Sequence, residues 1–97
     1  MSAADTSPNK EAGVTPGSLA VQIFTPKGVA WEGEAQSVSS VNSQGPFDLL
    51  PEHAHFISLV EHQPIKVITK AGEQVYTFQT AVIRLMDNRV TIYADVA

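Results

Sequence analysis

The stretch that decides the fold is residues 44–56, which read QGPFDLLPEHAHF. Glycine and two prolines enclose a short apolar run, and these residues mark turns because glycine adopts positive φ and proline restricts φ. The segment therefore predicts a turn, burial of Phe47, Leu49 and Leu50, a second turn at Pro51-Glu52, and an outgoing strand. A connection that buries its own apolar residues is expected to be a shaped structure that holds its neighbours in place.

Upstream of this stretch, apolar and polar residues alternate, which is typical of half-buried strands. The alternation predicts a hairpin that turns at Pro26-Lys27-Gly28. Its first strand is expected to bury Leu19, Val21 and Ile23, and the second to align Val29, Trp31, Gly33 and Ala35 on one face, with Glu32 and Glu34 in solvent. Residues 37–41 predict a poorer strand with a bulge or a twist into the following loop, because Val38 and Val41 fall on opposite faces.

Downstream, the same pattern predicts strands over residues 53–60 and 65–69, followed by a long apolar strand over residues 75–86. Asp87-Asn88 is a two-residue turn of the kind that joins antiparallel strands, and residues 89–96 alternate again. No segment has a helical apolar period over ten residues. Many short strands separated by turns predict an all-β, antiparallel sandwich or barrel.

Composition divides the 97 residues into two parts. Residues 1–18 are rich in small and polar residues and are predicted to form a flexible N-terminal tail, because they cannot bury enough apolar surface to offset the entropy of ordering. Residues 19–97 are predicted to form one β-sandwich domain. A domain of this size buries only roughly 60% of its unfolded surface, which leaves little room for a deep ligand cavity.

Charge and cysteine content exclude several classes of function. The net charge is −4 and the six Lys and Arg residues are scattered, so no basic stripe is available for nucleic acid. The absence of cysteine fits a reducing compartment. No apolar run approaches the roughly 20 residues that span a bilayer, and residues 1–18 lack the pattern of a signal peptide, so direct membrane insertion is not predicted.

A metal site is the strongest alternative chemistry. His53 and His55 would point to the same side of an extended strand, with Glu61 downstream, which is the ligand pattern of a cupin-type metal-dependent enzyme. The spacings exceed those of the usual cupin motif, and no histidine beyond His62 supplies a further ligand. The serines lack a strand-to-helix elbow, and no glycine-rich loop precedes a helix. The sequence therefore predicts no catalytic residues, no metal and no cofactor.

The motif Gly45-x-Phe47-x-Leu49-Leu50-Pro51-x-His53-Ala54 resembles the G-E-F-G-I-L-P-G-H-A stretch of the epsilon subunit of F-type ATP synthases. Further matches follow in the same order as in that family. They are residues 23–29, IFTPKGV; Gly33-Glu34; Ser37-Val38; and residues 88–95, NRVTIYAD. The likeness covers residues 19–97 and implies a flattened antiparallel β-sandwich of the epsilon N-terminal type.

The resemblance also implies a function. The protein would be a non-catalytic central-stalk (rotor) component that couples the gamma subunit to the membrane c-ring during ion-driven ATP synthesis, without a cofactor. It would lie in the cytoplasm, peripheral to the inner face of the cell membrane. By matched position, Gly45, Phe47 and Leu49 would shape the loop that faces the c-ring polar loops, Pro46 and Asp48 would meet the ring, and Thr25 and His53 would face gamma.

Departures from the family pattern keep a second function open. Pro46 replaces an acidic residue, Asp48 a glycine, His55-Phe56 a Pro-Leu pair, and Thr80-Ala81 a Gly-Gly pair. A stand-alone β-sandwich adaptor that has drifted from the ATP synthase is the alternative. Family members usually continue into two C-terminal helices, so a chain that stops at Ala97 is expected to be the coupling domain without an inhibitory arm.

Overall fold

The computed structural model describes residues 17–95, so residues 1–16 of the predicted tail lie outside the described residues. Between Gly17 and Asp95 the chain forms nine strands and no helix. The strands are β1 Leu19–Thr25, β2 Gly28–Ala35, β3 Ser37–Asn42, β4 Gly45–Leu49, β5 Phe56–Glu61, β6 Pro64–Thr69, β7 Gly72–Thr77, β8 Thr80–Met86 and β9 Arg89–Ala94.

Two sheets pack face to face as a sandwich. One sheet has five strands in the order β2-β1-β9-β8-β5, and the other has four in the order β4-β3-β6-β7. Neighbouring strands are antiparallel except for β1 and β9, which pair in parallel with Ile23 opposite Ile92. The all-β sandwich predicted from the alternation is confirmed. The parallel pairing of the first and last strands was not predicted.

Both sheets contribute alternate residues to one core. On the five-stranded sheet Ile23, Ile83 and Ile92 are each 0% exposed, and on the four-stranded sheet Ile65 and Val67 are equally buried. Trp31 and Phe47 are partly buried against this cluster. Because burying one such aliphatic side chain contributes about 1.5–3 kcal/mol, the alternating pattern is the main source of stability of the sandwich.

Residues 44–56 form a strand and two turns. Residues 45–49 are β4, which closes a hairpin with β3, and Pro51-Glu52 form the second predicted turn. Burial is confirmed for Leu49 at 1% exposed, and Phe47 is partly buried, but the prediction for Leu50 is wrong because it is 50% exposed. Successive side chains of an extended chain point to opposite faces, so Leu49 and Leu50 cannot both face the core.

The bulge lies in β2, and of the two alternatives predicted for residues 37–41 the bulge is wrong. The pairing of β3 with β4 runs without a shift, whereas β1 and β2 shift register between Ile23 and Phe24. Trp31 lies opposite Ile23 and Val29 opposite Phe24, so Ala30 is the extra residue. Val29 consequently leaves the face that it was predicted to share with Trp31 and is 53% exposed.

Two predicted strands have different bounds in the structure. The apolar stretch over residues 75–86 is interrupted at Phe78-Gln79, and the chain passes there from the four-stranded sheet to the five-stranded sheet. The strand predicted to begin at His53 begins at Phe56, so His53 and His55 lie in the preceding connection. No strand therefore holds both imidazoles on one side.

Candidate functional site

The β3–β4 hairpin contains the five residues that were predicted to face the c-ring. Its turn is closed by Asn42, whose Oδ1 accepts a hydrogen bond from the Gln44 backbone N–H at 2.8 Å, and Gly45 leaves the turn with φ of 120°. The Asn42 amide also donates to Ser58 Oγ at 2.9 Å, which ties the tip to β5 of the other sheet. The hairpin is thus held from both sheets.

Pro46 and Asp48 lie on the outer side of this hairpin and are exposed, in contrast to Leu49. Asp48 accepts a hydrogen bond of 2.6 Å from Ser39 Oγ on the neighbouring strand. Pro46 and Asp48 border a surface depression of about 270 Å³ that is also lined by Lys66. This volume is below the roughly 300–1,000 Å³ of ligand pockets, so the surface suits contact with a protein better than enclosure of a small molecule.

Phe47 links the hairpin to His53. The Phe47 and Phe56 rings pack with centroids 5.1 Å apart, and the His53 ring meets Phe56 edge-on at 6.4 Å. The His53 backbone N–H donates to the Leu50 carbonyl at 3.2 Å, which closes the turn between β4 and β5. The structure therefore brings His53 next to the predicted ring-facing residues.

Thr25 has a structural role at the end of β1. Its Oγ1 accepts a hydrogen bond from the Lys27 backbone N–H and donates one to the Gly28 carbonyl, both at 3.1 Å. Thr69 makes the same pair of bonds across the turn before Gly72. Such side-chain bonds to nearby backbone stabilise tight turns. The repeated Thr-x-x-Gly pattern was a sequence signal for this turn, and the sequence reasoning missed it.

Thr25 and His53, the two predicted gamma-facing residues, lie at opposite ends of the five-stranded sheet. Thr25 ends β1, whereas the turn that precedes His53 is bonded to Asn88 through the Glu52 backbone N–H at 2.7 Å. Asn88 in turn accepts a backbone hydrogen bond from Ala20 at the start of β1. Since strands rise about 3.3 Å per residue, roughly 20 Å separates the two ends.

The histidines are not gathered into a metal site. His55 Nε2 lies 3.4 Å from Asp87 Oδ1, whereas His53 contacts an aromatic ring. Between Gly17 and Asp95 no group of three His, Asp or Glu side chains could hold a metal ion. Asn88 Nδ2 donates to Glu52 Oε2 at 3.1 Å, so these polar side chains tie the β4–β5 connection to the β8–β9 turn.

Tyr76 lies on β7 and is partly buried against the core. Its hydroxyl donates to Gln74 Oε1 at 2.7 Å, and its ring stacks on Phe78 at 6.3 Å. Burial raises the pKa of the Tyr76 phenol above its usual value of 10.0, because the charged form loses hydration in the interior. The group belongs to the packing of β7 against the core.

A second candidate surface was missed by the sequence reasoning. On the outer side of the five-stranded sheet, neighbouring strands place one apolar residue beside the next, and the Phe24 and Tyr93 rings stack at 5.7 Å. The strand register places five residues side by side across the sheet, in the order Leu59, Val82, Tyr93, Phe24 and Val29. We call these five residues the outer row. The signal was present in each strand, but the alignment depends on strand order, which the sequence does not display.

Comparison with known families assigns this sandwich. The family model of the ATP synthase delta/epsilon chain β-sandwich domain matches residues 18–97. The chain belongs to this family. The matched region begins one residue before β1 and covers the predicted domain of residues 19–97, so the fold expected from the resemblance to the epsilon subunit is confirmed.

Curated relatives of this family agree with the assignment. The ATP synthase epsilon chain of Clostridium novyi is 28% identical over 78 residues, which are 79% of this chain and 60% of that protein. The ATP synthase epsilon chain of a Nitratiruptor species is 32% identical over 57 residues, which are 59% of this chain and 44% of that protein. The chain therefore matches about half the length of these epsilon chains.

Solved structures share the fold of this family domain. A chain of the Tetrahymena thermophila mitochondrial ATP synthase central stalk/c-ring structure superposes with a TM-score of 0.67 at 11% identity, covering 78% of this chain and 62% of that one. A chain of the Euglena gracilis mitochondrial ATP synthase structure gives 0.75 at 13% identity, covering 87% and 54%. In residues 17–95 no helix is long and apolar enough to cross a membrane.

Proposed function

We propose that this protein is a non-catalytic central-stalk component of an F-type ATP synthase, and that it couples the gamma subunit to the c-ring. The observation that carries the proposal is the family match over residues 18–97, which includes every strand of the sandwich. The epsilon-chain relatives support the same role. The domain would work on the cytoplasmic side, peripheral to the membrane.

The mechanism is mechanical. A component that passes torque between two partners needs a body that does not hinge, and the two sheets share one core with isoleucines that are fully buried. The β3–β4 hairpin supplies one contact surface, with Pro46 and Asp48 presented to the polar loops of the c-ring and with Gly45, Phe47 and Leu49 shaping their support. Pro46 lacks a backbone donor and restricts φ, so this contact relies on side chains and on stiffness.

The gamma subunit would occupy the second surface, touching Thr25 at one end of the five-stranded sheet and His53 at the other. None of these roles requires chemistry at the protein, and the proposal assigns it no catalytic residue, metal or cofactor. The ring-facing residues belong to β4 and the gamma-facing residues to the five-stranded sheet or its connections. The two proposed contact surfaces therefore meet at the β4–β5 connection, where His53 packs against Phe56 and Phe56 against Phe47.

Reconstitution tests the proposal. The full chain is mixed with the purified cognate gamma subunit, and the mixture is separated by size-exclusion chromatography with mass determination. We expect a stable one-to-one complex that also restores coupling of ATP hydrolysis to ion pumping in membranes stripped of their own epsilon subunit. A chain that binds no gamma would overturn the proposal and favour the drifted adaptor.

A further inference from the structure

The two proposed contact surfaces meet at residues 50–55, which connect β4 to β5, and Asn88 holds this connection from another part of the chain. The Glu52 backbone N–H donates to Asn88 Oδ1 at 2.7 Å, and Asn88 Nδ2 donates to Glu52 Oε2 at 3.1 Å. Both polar groups of one amide therefore bind one residue 36 positions earlier in the chain. Two bonds between the same pair of residues fix their relative orientation as well as their distance.

The turn that contains Asn88 does not by itself require this side chain. Asp87 and Asn88 adopt φ of 51° and 62°, the positive values of a two-residue hairpin turn, and glycine adopts such values at no steric cost. Asparagine is common in turns because its side chain bonds nearby backbone. In this structure both side-chain bonds of Asn88 reach Glu52 instead. The amide therefore has a use outside its own turn.

Glu52 is held in a backbone conformation that side chains disfavour. Its φ is 67°, in the left-handed region, and the matched position of the family motif is glycine. Strained backbone of this kind persists only where the surrounding structure fixes it, and it is concentrated where geometry serves function. The bonds from Asn88 and the His53 N–H bond to the Leu50 carbonyl at 3.2 Å fix it here. The connection is therefore held in one geometry.

We infer that Asn88 is a positioning residue for coupling, an inference that rests on the proposed function. Asn88 acts through Glu52, which lies between the ring-facing hairpin and His53, the residue proposed to face gamma. The Asn88 carbonyl also accepts the Ala20 backbone N–H at 2.9 Å, which anchors Asn88 at the start of β1. Asn88 thus joins the connection to the five-stranded sheet and sets the orientation of the hairpin relative to the surface proposed for gamma.

The two side-chain bonds are expected to matter for geometry more than for stability. Both are exposed to solvent, so water replaces them when the amide is removed and the free energy of unfolding changes little. The rings of Phe47 and Phe56 still hold the hairpin on the core, with centroids 5.1 Å apart. The connection itself loses its fixed orientation, because a contact surface loses precision when the groups that support it are removed. Rotation of one partner is then passed to the other less completely.

Replacing Asn88 tests this role, with its neighbour in the turn as the matched control. Asn88→Gly removes the amide and allows positive φ, and Asp87→Gly removes the adjacent side chain in the same way. Each full chain is reconstituted with the cognate gamma subunit in membranes stripped of their own epsilon subunit. We expect Asn88→Gly to bind gamma but to pump several-fold fewer ions per ATP hydrolysed, with faster hydrogen exchange at the Glu52 N–H. Asp87→Gly should behave like wild type in both measurements.

A pair of double variants separates positioning from a general loss of structure. Glu52→Gly keeps the backbone N–H and removes the carboxylate, so Asn88→Asp in this background offers the Oδ1 acceptor without facing a second negative charge. Glu52→Gly combined with Asn88→Asp should therefore pump more ions per ATP hydrolysed than Glu52→Gly combined with Asn88→Gly. The two double variants should have similar melting temperatures.

The outcomes distinguish the positioning role from the proposed function. A wild-type pumping ratio in Asn88→Gly overturns the positioning role and leaves the proposed function standing. An equal loss in Asp87→Gly, or equal ratios in the two double variants, overturns the positioning role as well. A wild-type chain that neither binds gamma nor restores pumping overturns the proposed function, and the positioning role with it.

Discussion

The outer faces of the two sheets differ in composition although both sheets bury the same kind of inner face. Across the five-stranded sheet the outer row is apolar. Across the four-stranded sheet, the corresponding line runs from Asp48 through Ser39 and Lys66 to Val75 and is mostly polar. Alternation constrains only the face that packs in the core. The opposite face is not constrained by the core, and in this molecule the two outer faces differ in composition.

The difference between inner and outer faces is expected to produce the largest effects, and adjacent leucines test it. Leu49 is 1% exposed and Leu50 is 50% exposed. Leu49→Ala should lower the free energy of unfolding by about 2–5 kcal/mol because it leaves a cavity between the sheets. Leu50→Ala should change it by no more than about 0.5 kcal/mol. Urea unfolding followed by circular dichroism measures both, and equal losses would contradict the difference in burial between these two leucines.

The polar outer face is tested next, through coupling to the c-ring. Asp48→Lys reverses a charge at the proposed ring contact, whereas Glu73→Lys makes the same change on β7 of the same sheet. We expect Asp48→Lys to reduce ATP-driven ion pumping several-fold at unchanged ATP hydrolysis and unchanged gamma binding. Glu73→Lys should pump like wild type. If both variants lose pumping equally, the loss comes from the reversal of charge on this sheet in general and not from a contact made by the hairpin.

A smaller effect separates the two tyrosines, one on each sheet. Since burial raises the pKa of Tyr76, the stability that this group contributes is complete below its unfolded pKa near 10.0 and is lost as pH rises through the higher folded-state pKa. Tyr76→Phe should therefore make the decline of the melting temperature above about pH 10 shallower. Tyr93→Phe, on the outer row, is the matched control. A decline in Tyr76→Phe as steep as in wild type would contradict the assignment.

Deletion of residues 1–18 is expected to have the smallest effect. These residues contain little apolar surface, so their removal should change the free energy of unfolding by no more than about 0.5 kcal/mol and leave both outer faces intact. Differential scanning calorimetry of the full and shortened chains measures the change. A melting temperature several degrees lower in the shortened chain would show that the tail packs against the sandwich.

Much of the fold could be predicted from local pattern. The turn at Asp87-Asn88 was predicted from two residues, and both adopt positive φ, at 51° and 62°, as a two-residue hairpin turn requires. The burial of Leu19, Val21 and Ile23 followed from their spacing alone. The ring-facing residues were located by their likeness to the family motif, and their roles remain predictions.

Other features could not be predicted because they depend on which strands become neighbours. Val75 and Leu85 lie in one apolar stretch, yet the chain crosses between sheets at Phe78-Gln79, where packing of both layers decides the break. His53 was placed on a strand, but a strand continues only as far as a partner offers backbone groups, and β5 begins at Phe56. Leu50 was predicted to be buried because its side chain is apolar. It is exposed because the adjacent Leu49 already faces inward.

By itself the sequence determined that this protein is a β-sandwich with short turns, because the two-residue period of side chains along a strand is a local property. Only the tertiary structure decided the parallel pairing of β1 with β9 and the bulge at Ala30. Together these two features align Phe24 with Tyr93 and Val29 in the outer row. Such an alignment is a long-range property, because it requires residues far apart in the chain to settle on one register against a common core.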